Sequence, residues 1–110
     1  YFRHFAGTVD YVNLTIETTA QTIALNSDES TKTTVIVDGL RRHEVRRFAH
    51  GLRERKIRVE KVRGLDEHSD ALLRLVDAIA GFVRDALERK PYAVFQYQAA
   101  INNGILKELK

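Results

Sequence analysis

At 110 residues the chain has room for one modest domain at most, and its 44% apolar and 30% charged residues are ordinary for a soluble fold. The absence of cysteine excludes disulfides, thiolate metal sites and cysteine nucleophiles, and no apolar run approaches membrane-spanning length. The net charge of +3 conceals an asymmetry: residues 41–63 hold ten Arg or Lys against three Glu, whereas residues 1–40 hold two against five acids. The chain opens at Tyr1, contains no methionine and shows no signal-peptide pattern. It reads as a soluble, cytoplasmic fragment of a longer protein.

In chain order, Phe2, Phe5, Val9, Val12, Ile16, Ala20 and Ile23 recur at helical spacing, which predicts a helix over residues 1–25 despite its many threonines. Residues 26–32 are polar and read as a loop. Thr33 to Asp38 contains Val35-Ile36-Val37, a continuous β-branched run of the kind found in strands buried on both faces of a parallel sheet. Gly39 ends it. Over residues 41–55, Val45, Phe48, Ala49 and Leu52 predict an amphipathic helix whose other face carries Arg42, Arg46 and Arg53. Residues 57–62 alternate apolar and charged, as a strand with one solvated face does. Strand, helix and strand with short joins make a right-handed βαβ unit.

Residues 64–68 read as a turn, with Asp66 or Ser69 placed to cap the helix predicted over residues 69–89. That helix has a broad apolar face from Leu72 to Leu87, and Pro91 stops it. A shorter aromatic-rich helix follows to Ile101 with Pro91 at its first position, and Asn102-Asn103-Gly104 ends it. Residues 105–110 form a short amphipathic tail.

Two carboxylates stand out. Asp38 ends a strand where the chain leaves for a helix, the place where open α/β sheets build sites. The bland reading is a turn-former or helix cap. Asp77 has the helix's apolar face around it, where a buried or semi-buried carboxylate is costly without a partner; a salt bridge to Arg74 would satisfy it. The basic block suits either a solvated helix face or a polyanion site, and it lacks the interleaved aromatics that stack bases. His43 and His50 share a helix face but show no third metal ligand. Ser69 has no histidine partner at a recognisable spacing.

The strand Val35-Ile36-Val37-Asp38, followed by a helix reading Leu73-Arg74-Leu75-Val76-Asp77-Ala78-Ile79-Ala80-Gly81, resembles the C-terminal half of the domain-of-unknown-function family numbered 3800. That family's helix reads close to Ile-Gln-Leu-Ala-Asp-Leu-Ile-Ala-Gly; here Arg74 replaces the glutamine and Val76 the alanine before the aspartate. The resemblance spans residues 33–89 and implies an RNase H-like fold whose opening strand ends in Asp-Glu-Ser-Gly. Asp28-Glu29-Ser30 is followed by Thr31 and sits in a polar stretch, so it reads as coincidence. The opening strands are expected upstream of Tyr1.

The expectation is therefore an α/β, RNase H-like partial domain ordered helix–strand–helix–strand–helix–helix. The resemblance implies a nuclease or phosphoryl-transfer site using Mg²⁺ or Mn²⁺ held by Asp38 and Asp77, with the fragment inactive by itself. Ala80 and Gly81 would allow close approach beside Asp77. Arg42, Arg46, Arg74 and Arg84 are the candidate nucleic-acid contacts. The alternative is a catalytically silent binding or oligomerisation module on the same fold. Two strands and so much apolar helix surface further predict a homo-oligomer or association with the missing N-terminal half, and no membrane partner.

Overall fold

Six elements follow in the order α1 (Tyr11–Asn26), β1 (Thr34–Asp38), α2 (Arg42–Glu54), β2 (Lys61–Leu65), α3 (Ala71–Leu87) and α4 (Pro91–Asn102) in a computed structural model describing residues 1–5, 10–65 and 70–109. The fold is mixed α/β, with a two-stranded parallel sheet. The chain divides into two compact units: Phe5–Asp66, and Tyr1–His4 together with Glu67–Lys110.

In the unit Phe5–Asp66, Asp10 caps α1 by accepting from the Asn13 amide at 3.1 Å. The threonines are accommodated because Thr15, Thr18 and Thr22 each donate their hydroxyl to the carbonyl four residues back, at 2.8–2.9 Å. Ile16 and Ala20 of α1 meet Phe48 and Leu52 of α2 and Val35 of β1 in one core. Phe48 and Leu52 are fully buried. Both helices thus cover the sheet face that carries Val35 and Val37. Among the described residues of this unit no second layer covers the opposite face, where Ile36 is 36% exposed, so within the unit β1 is not covered on both sides as its apolar run predicts. A continuous apolar run permits two-sided burial; it does not supply the second layer.

The helix predicted over residues 1–25 is confined to Tyr11–Asn26, and residues 6–9 lie outside the described residues. The strand predicted over residues 57–62 begins only at Lys61. The alternation of Ile57 and Val59 persists, half-buried against the core, but β1 starts at Thr34 and Thr33 already accepts from the Glu60 amide at 2.7 Å. Residues 57–59 have the side-chain pattern of a strand without a strand alongside to bond.

In the other unit, α3 and α4 form a helical hairpin. Asp70 caps α3, accepting from Leu72 and Leu73 at 2.8 and 3.2 Å; the expected caps Asp66 and Ser69 lie outside the described residues. Pro91 opens α4. Phe2, expected in a helix, instead forms a parallel bridge with Glu108: its amide donates to Lys107 and its carbonyl accepts from Leu109. Its ring meets Tyr97 edge-on at 6.1 Å. The tail after α4 is therefore tied down and buries Leu109.

Three helices end the same way. Lys56 (φ 58°), Arg89 (φ 61°) and Gly104 (φ 71°) are left-handed. The next amides, of Ile57, Lys90 and Ile105, donate to the carbonyls of Leu52, Asp85 and Ala100 at 2.9–3.0 Å. Glycine stands at only one of the three.

Candidate functional site

Parallel pairing aligns Val35 with Val62, Ile36 with Arg63, Val37 with Gly64 and Asp38 with Leu65. Side chains alternate along a strand, so Thr34, Ile36 and Asp38 share the open face with Lys61, Arg63 and Leu65. Asp38 is exposed at the C-terminal end of β1. The chain turns there through Gly39 (φ 72°), whose amide donates to the Leu65 carbonyl at 2.8 Å. That bond ties the exit from β1 to the end of β2. Gly64 makes room for it: a Cβ there would stand 2.3 Å from the Leu40 oxygen.

Helix α2 leaves this edge at once, its first turn held by Glu44, which accepts from the Arg41 amide at 3.1 Å. Its exposed surface carries two rows. Arg47, His50 and Glu54 are paired: Arg47 with Asp10 at the start of α1, and His50 with Glu54 within α2 at 2.9 Å. Arg42, Arg46 and Arg53 form the other row at helical spacing, all exposed, with no carboxylate partner among the described residues. Arg55 turns inward instead, donating to the Gly51 carbonyl at 3.0 Å and lying 3.7 Å from Glu17 of α1.

Asp77 belongs to the other unit. It is exposed, so the cost of burying an unpartnered carboxylate does not arise there. At 100° per residue, Asp77 falls with Arg74, Gly81 and Arg84 on the polar face of α3, away from Leu72, Leu75, Val76 and Ile79. Arg84 lies 3.8 Å from Asp85. Among the described residues, only Arg84 Nη2, at 3.9 Å, comes within 4 Å of where a Gly81 Cβ would be, so no element packs closely there.

As donors, Asp38 and Asp77 offer the hard oxygens Mg²⁺ and Mn²⁺ take. They suit the metal in kind and fall short in number: no group of three or more His, Asp or Glu among the described residues could hold an ion. The motif-like Asp28-Glu29-Ser30 is a self-contained turn. The Asp28 carboxylate accepts from the Ser30 hydroxyl (2.6 Å), the Ser30 amide (2.8 Å) and the Thr31 hydroxyl (3.0 Å), and these bonds hold its pKa below the ordinary value. The sequence reading did not single out Arg58 and Lys61 for binding. Each is separated from α2 by the turn at Lys56, and only the fold returns them beside Arg53.

Searches against protein-family models, curated proteins and solved structures each found no match to this chain. No described helix is long and apolar enough to cross a membrane.

Proposed function

We propose that this chain is part of an RNase H-like, metal-dependent nuclease or phosphoryl-transfer domain, with Asp38 and Asp77 as carboxylate ligands to Mg²⁺ or Mn²⁺. The observation that carries the reading is the placement of Asp38: an exposed carboxylate at the C-terminal edge of a parallel strand, from which an arginine-rich helix departs. The likeness of the Val-Ile-Val-Asp strand and the Asp77 helix to the family described above supports it. When bound, such ions stabilise the charge on attacking and leaving oxygens. The chain's own cations, Arg42, Arg46, Arg74 and Arg84, hold phosphate through their guanidinium forks. Asp38 and Asp77 alone do not complete an octahedral set, so an ion held by either takes further donors.

The test is a thermal melt with Mn²⁺. A ligand at ten times its Kd stabilises the fold by about 1.4 kcal/mol, or roughly 5–10 °C for a domain of this size. The wild-type melt should rise in millimolar Mn²⁺, with Asp38→Asn and Asp77→Asn each reducing the rise. An unchanged melt in all three overturns the reading.

A second reading, an assembly module, is favoured by the bare apolar stripe of α3. Leu72 is 69% exposed and Val76 60%, whereas Val83 and Ala86, further along the same face, are buried. Light scattering at tens of micromolar decides it: the reading requires an oligomer that Leu72→Glu/Val76→Glu reduces to monomer.

A further inference from the structure

We infer that the row Arg42, Arg46 and Arg53 on α2, continued by Arg58 and Lys61, is a track for the phosphodiester backbone of a nucleic acid. Positions 42, 46 and 53 differ by four and seven, so their side chains lie within about 40° of one another around the helix. Ala49, grouped with the apolar positions in the sequence reading, falls instead in the remaining turn of that row, which flanks the buried face, and its side chain is too short to interrupt it. The row is about 16 Å long at the helical rise of 1.5 Å per residue. A stacked strand presents about five phosphates over that length, at roughly 3.4 Å each.

At the end of the row the surface becomes concave. A cleft of about 280 Å³ is lined by Ala49 and Arg53 of α2 and by the returning residues 57–62. Arg58 and Lys61 add two cations there against the carboxylate of Glu60. The left-handed turn at Lys56 reverses the chain, so charges from both sides of the turn meet in one place.

Charge alone would be a solvated surface. The distribution of partners argues for more. Among the basic residues of this block, Arg47 and Arg55 are engaged with Asp10 and Glu17 of α1. Arg42, Arg46, Arg53, Arg58 and Lys61 have no carboxylate partner among the described residues, although Glu44 and Glu54 belong to the same helix; Arg41, Lys56 and Arg63 have none either, and the track is set apart from them by its alignment along α2 and its cleft. Those two glutamates are occupied, one by the Arg41 amide and one by His50. The track therefore keeps a net positive potential along one flank, with Glu60 as the carboxylate that lines its cleft.

The chemistry of the row selects the ligand. Four of its five cations are arginines, whose planar fork matches phosphate oxygens. A lipid surface is disfavoured because Phe48 and Leu52, the apolar anchors of α2, are fully buried in the core and cannot enter a bilayer. No aromatic residue interrupts the row, so the track reads backbone charge and not base identity.

The inference deepens the proposed function by locating its substrate's backbone, and the test separates the two. A fluorescent 20-nucleotide strand and its duplex are titrated against the protein in EDTA across a range of salt. Five contacts give a slope of log K against log salt of about −3.5 for the single strand and −4.5 for the duplex. Arg42→Gln/Arg46→Gln/Arg53→Gln should flatten that slope by about 2.1 for the single strand and about 2.7 for the duplex, and weaken low-salt binding at least tenfold. The charge-matched variant Lys32→Gln/Lys90→Gln/Lys107→Gln, outside the track, should leave the slope within 0.5 of wild type. Binding to either nucleic acid with this pattern supports the track. Equal losses in both triple variants, no binding at all, or binding only to anionic vesicles overturns it. Binding in EDTA without any Mn²⁺ response would retain the track and remove the metal centre; the reverse outcome would remove the track alone.

Discussion

Among the described glycines, Gly64 should be the one at which a single added methyl does most damage. A Cβ there would lie 2.3 Å from the Leu40 oxygen, 2.8 Å from the Leu40 Cβ and 3.1 Å from the Leu40 carbonyl carbon. Two of these atoms are backbone, so relief requires moving the strap that joins β1 to α2 by about 1 Å, where ordinary contact begins near 3.4 Å. Overpacking of this kind costs about 1–3 kcal/mol. The same strap carries the 2.8 Å bond from the Gly39 amide to Leu65, whose loss adds about 1 kcal/mol. Together these give about 3 kcal/mol, or on the order of 15 °C in Tm. Two other glycines calibrate the result. Gly51→Ala would meet the Ile16 Cδ1 and Cγ2 atoms at 2.9 Å, but that side chain can turn aside and alanine is favoured in a helix by about 1 kcal/mol, leaving a net change within about 1 kcal/mol. Gly81→Ala meets only Arg84 at 3.9 Å and should stabilise α3 by about 0.5–1 kcal/mol. Urea unfolding followed by circular dichroism ranks the three. If Gly64→Ala unfolds within 1 kcal/mol of wild type, Leu40 does not cross over β2 and the placement of Asp38 is wrong. Because Asp38 precedes the displaced strap, the same variant should also blunt the Mn²⁺ response.

The helix ends supply a second test. Lys56→Gly and Arg89→Gly should each stabilise by about 0.5–1 kcal/mol by removing a left-handed β-carbon, and Gly104→Ala should destabilise by about 1 kcal/mol; equal unfolding midpoints in all three would contradict the three-way match of helix termini. Phe48→Ala, at a fully buried site, should cost about 3–5 kcal/mol in urea unfolding, and a loss under 1 kcal/mol would mean α2 does not anchor the core. On the acid side, the Asp10 pKa is lowered, first by the Asn13 amide and then by Arg47, so its stabilisation is present above the ordinary value of 3.8 and is lost as pH falls through the lowered one. Asp10→Asn should therefore melt lower than wild type near neutral pH, and the gap should close in acid; a gap independent of pH would remove the charge from the cap. On the alkaline side, burial and then Glu108 raise the Tyr97 pKa above 10.0, so stability is intact below pH 10 and falls as pH rises through the raised value. Tyr97→Phe should flatten that decline in an alkaline melt series, and an unchanged decline would take Tyr97 out of the half-buried contact with Phe2.

The sequence by itself determined what depends on near neighbours. Helical spacing of Val45, Phe48 and Leu52 bounded α2 to within a residue at either end, and Pro91 marked the start of α4, because both signals act within one or two turns. The parallel pairing of β1 and β2 was legible because a strand, a helix and a strand joined closely admit little else. Asp38 was placed at its strand end by the Gly39 that follows it. Tertiary structure decided whatever needs a distant partner. β2 starts at Lys61 because a ladder begins only where β1 lies alongside, although Ile57 and Val59 already alternate. Phe2 is bridged to residues 107–109, an association no local period encodes. Asp77 sits among apolar neighbours in sequence and yet is exposed, since the turn of the helix directs it away from them. The cations show the division most clearly: composition counts ten in one block and helical spacing puts Arg42, Arg46 and Arg53 in a line, but only the packing of α1 against α2 pairs Arg47 and Arg55 and leaves that line without a carboxylate, because pairing depends on which carboxylates the fold brings within about 4 Å.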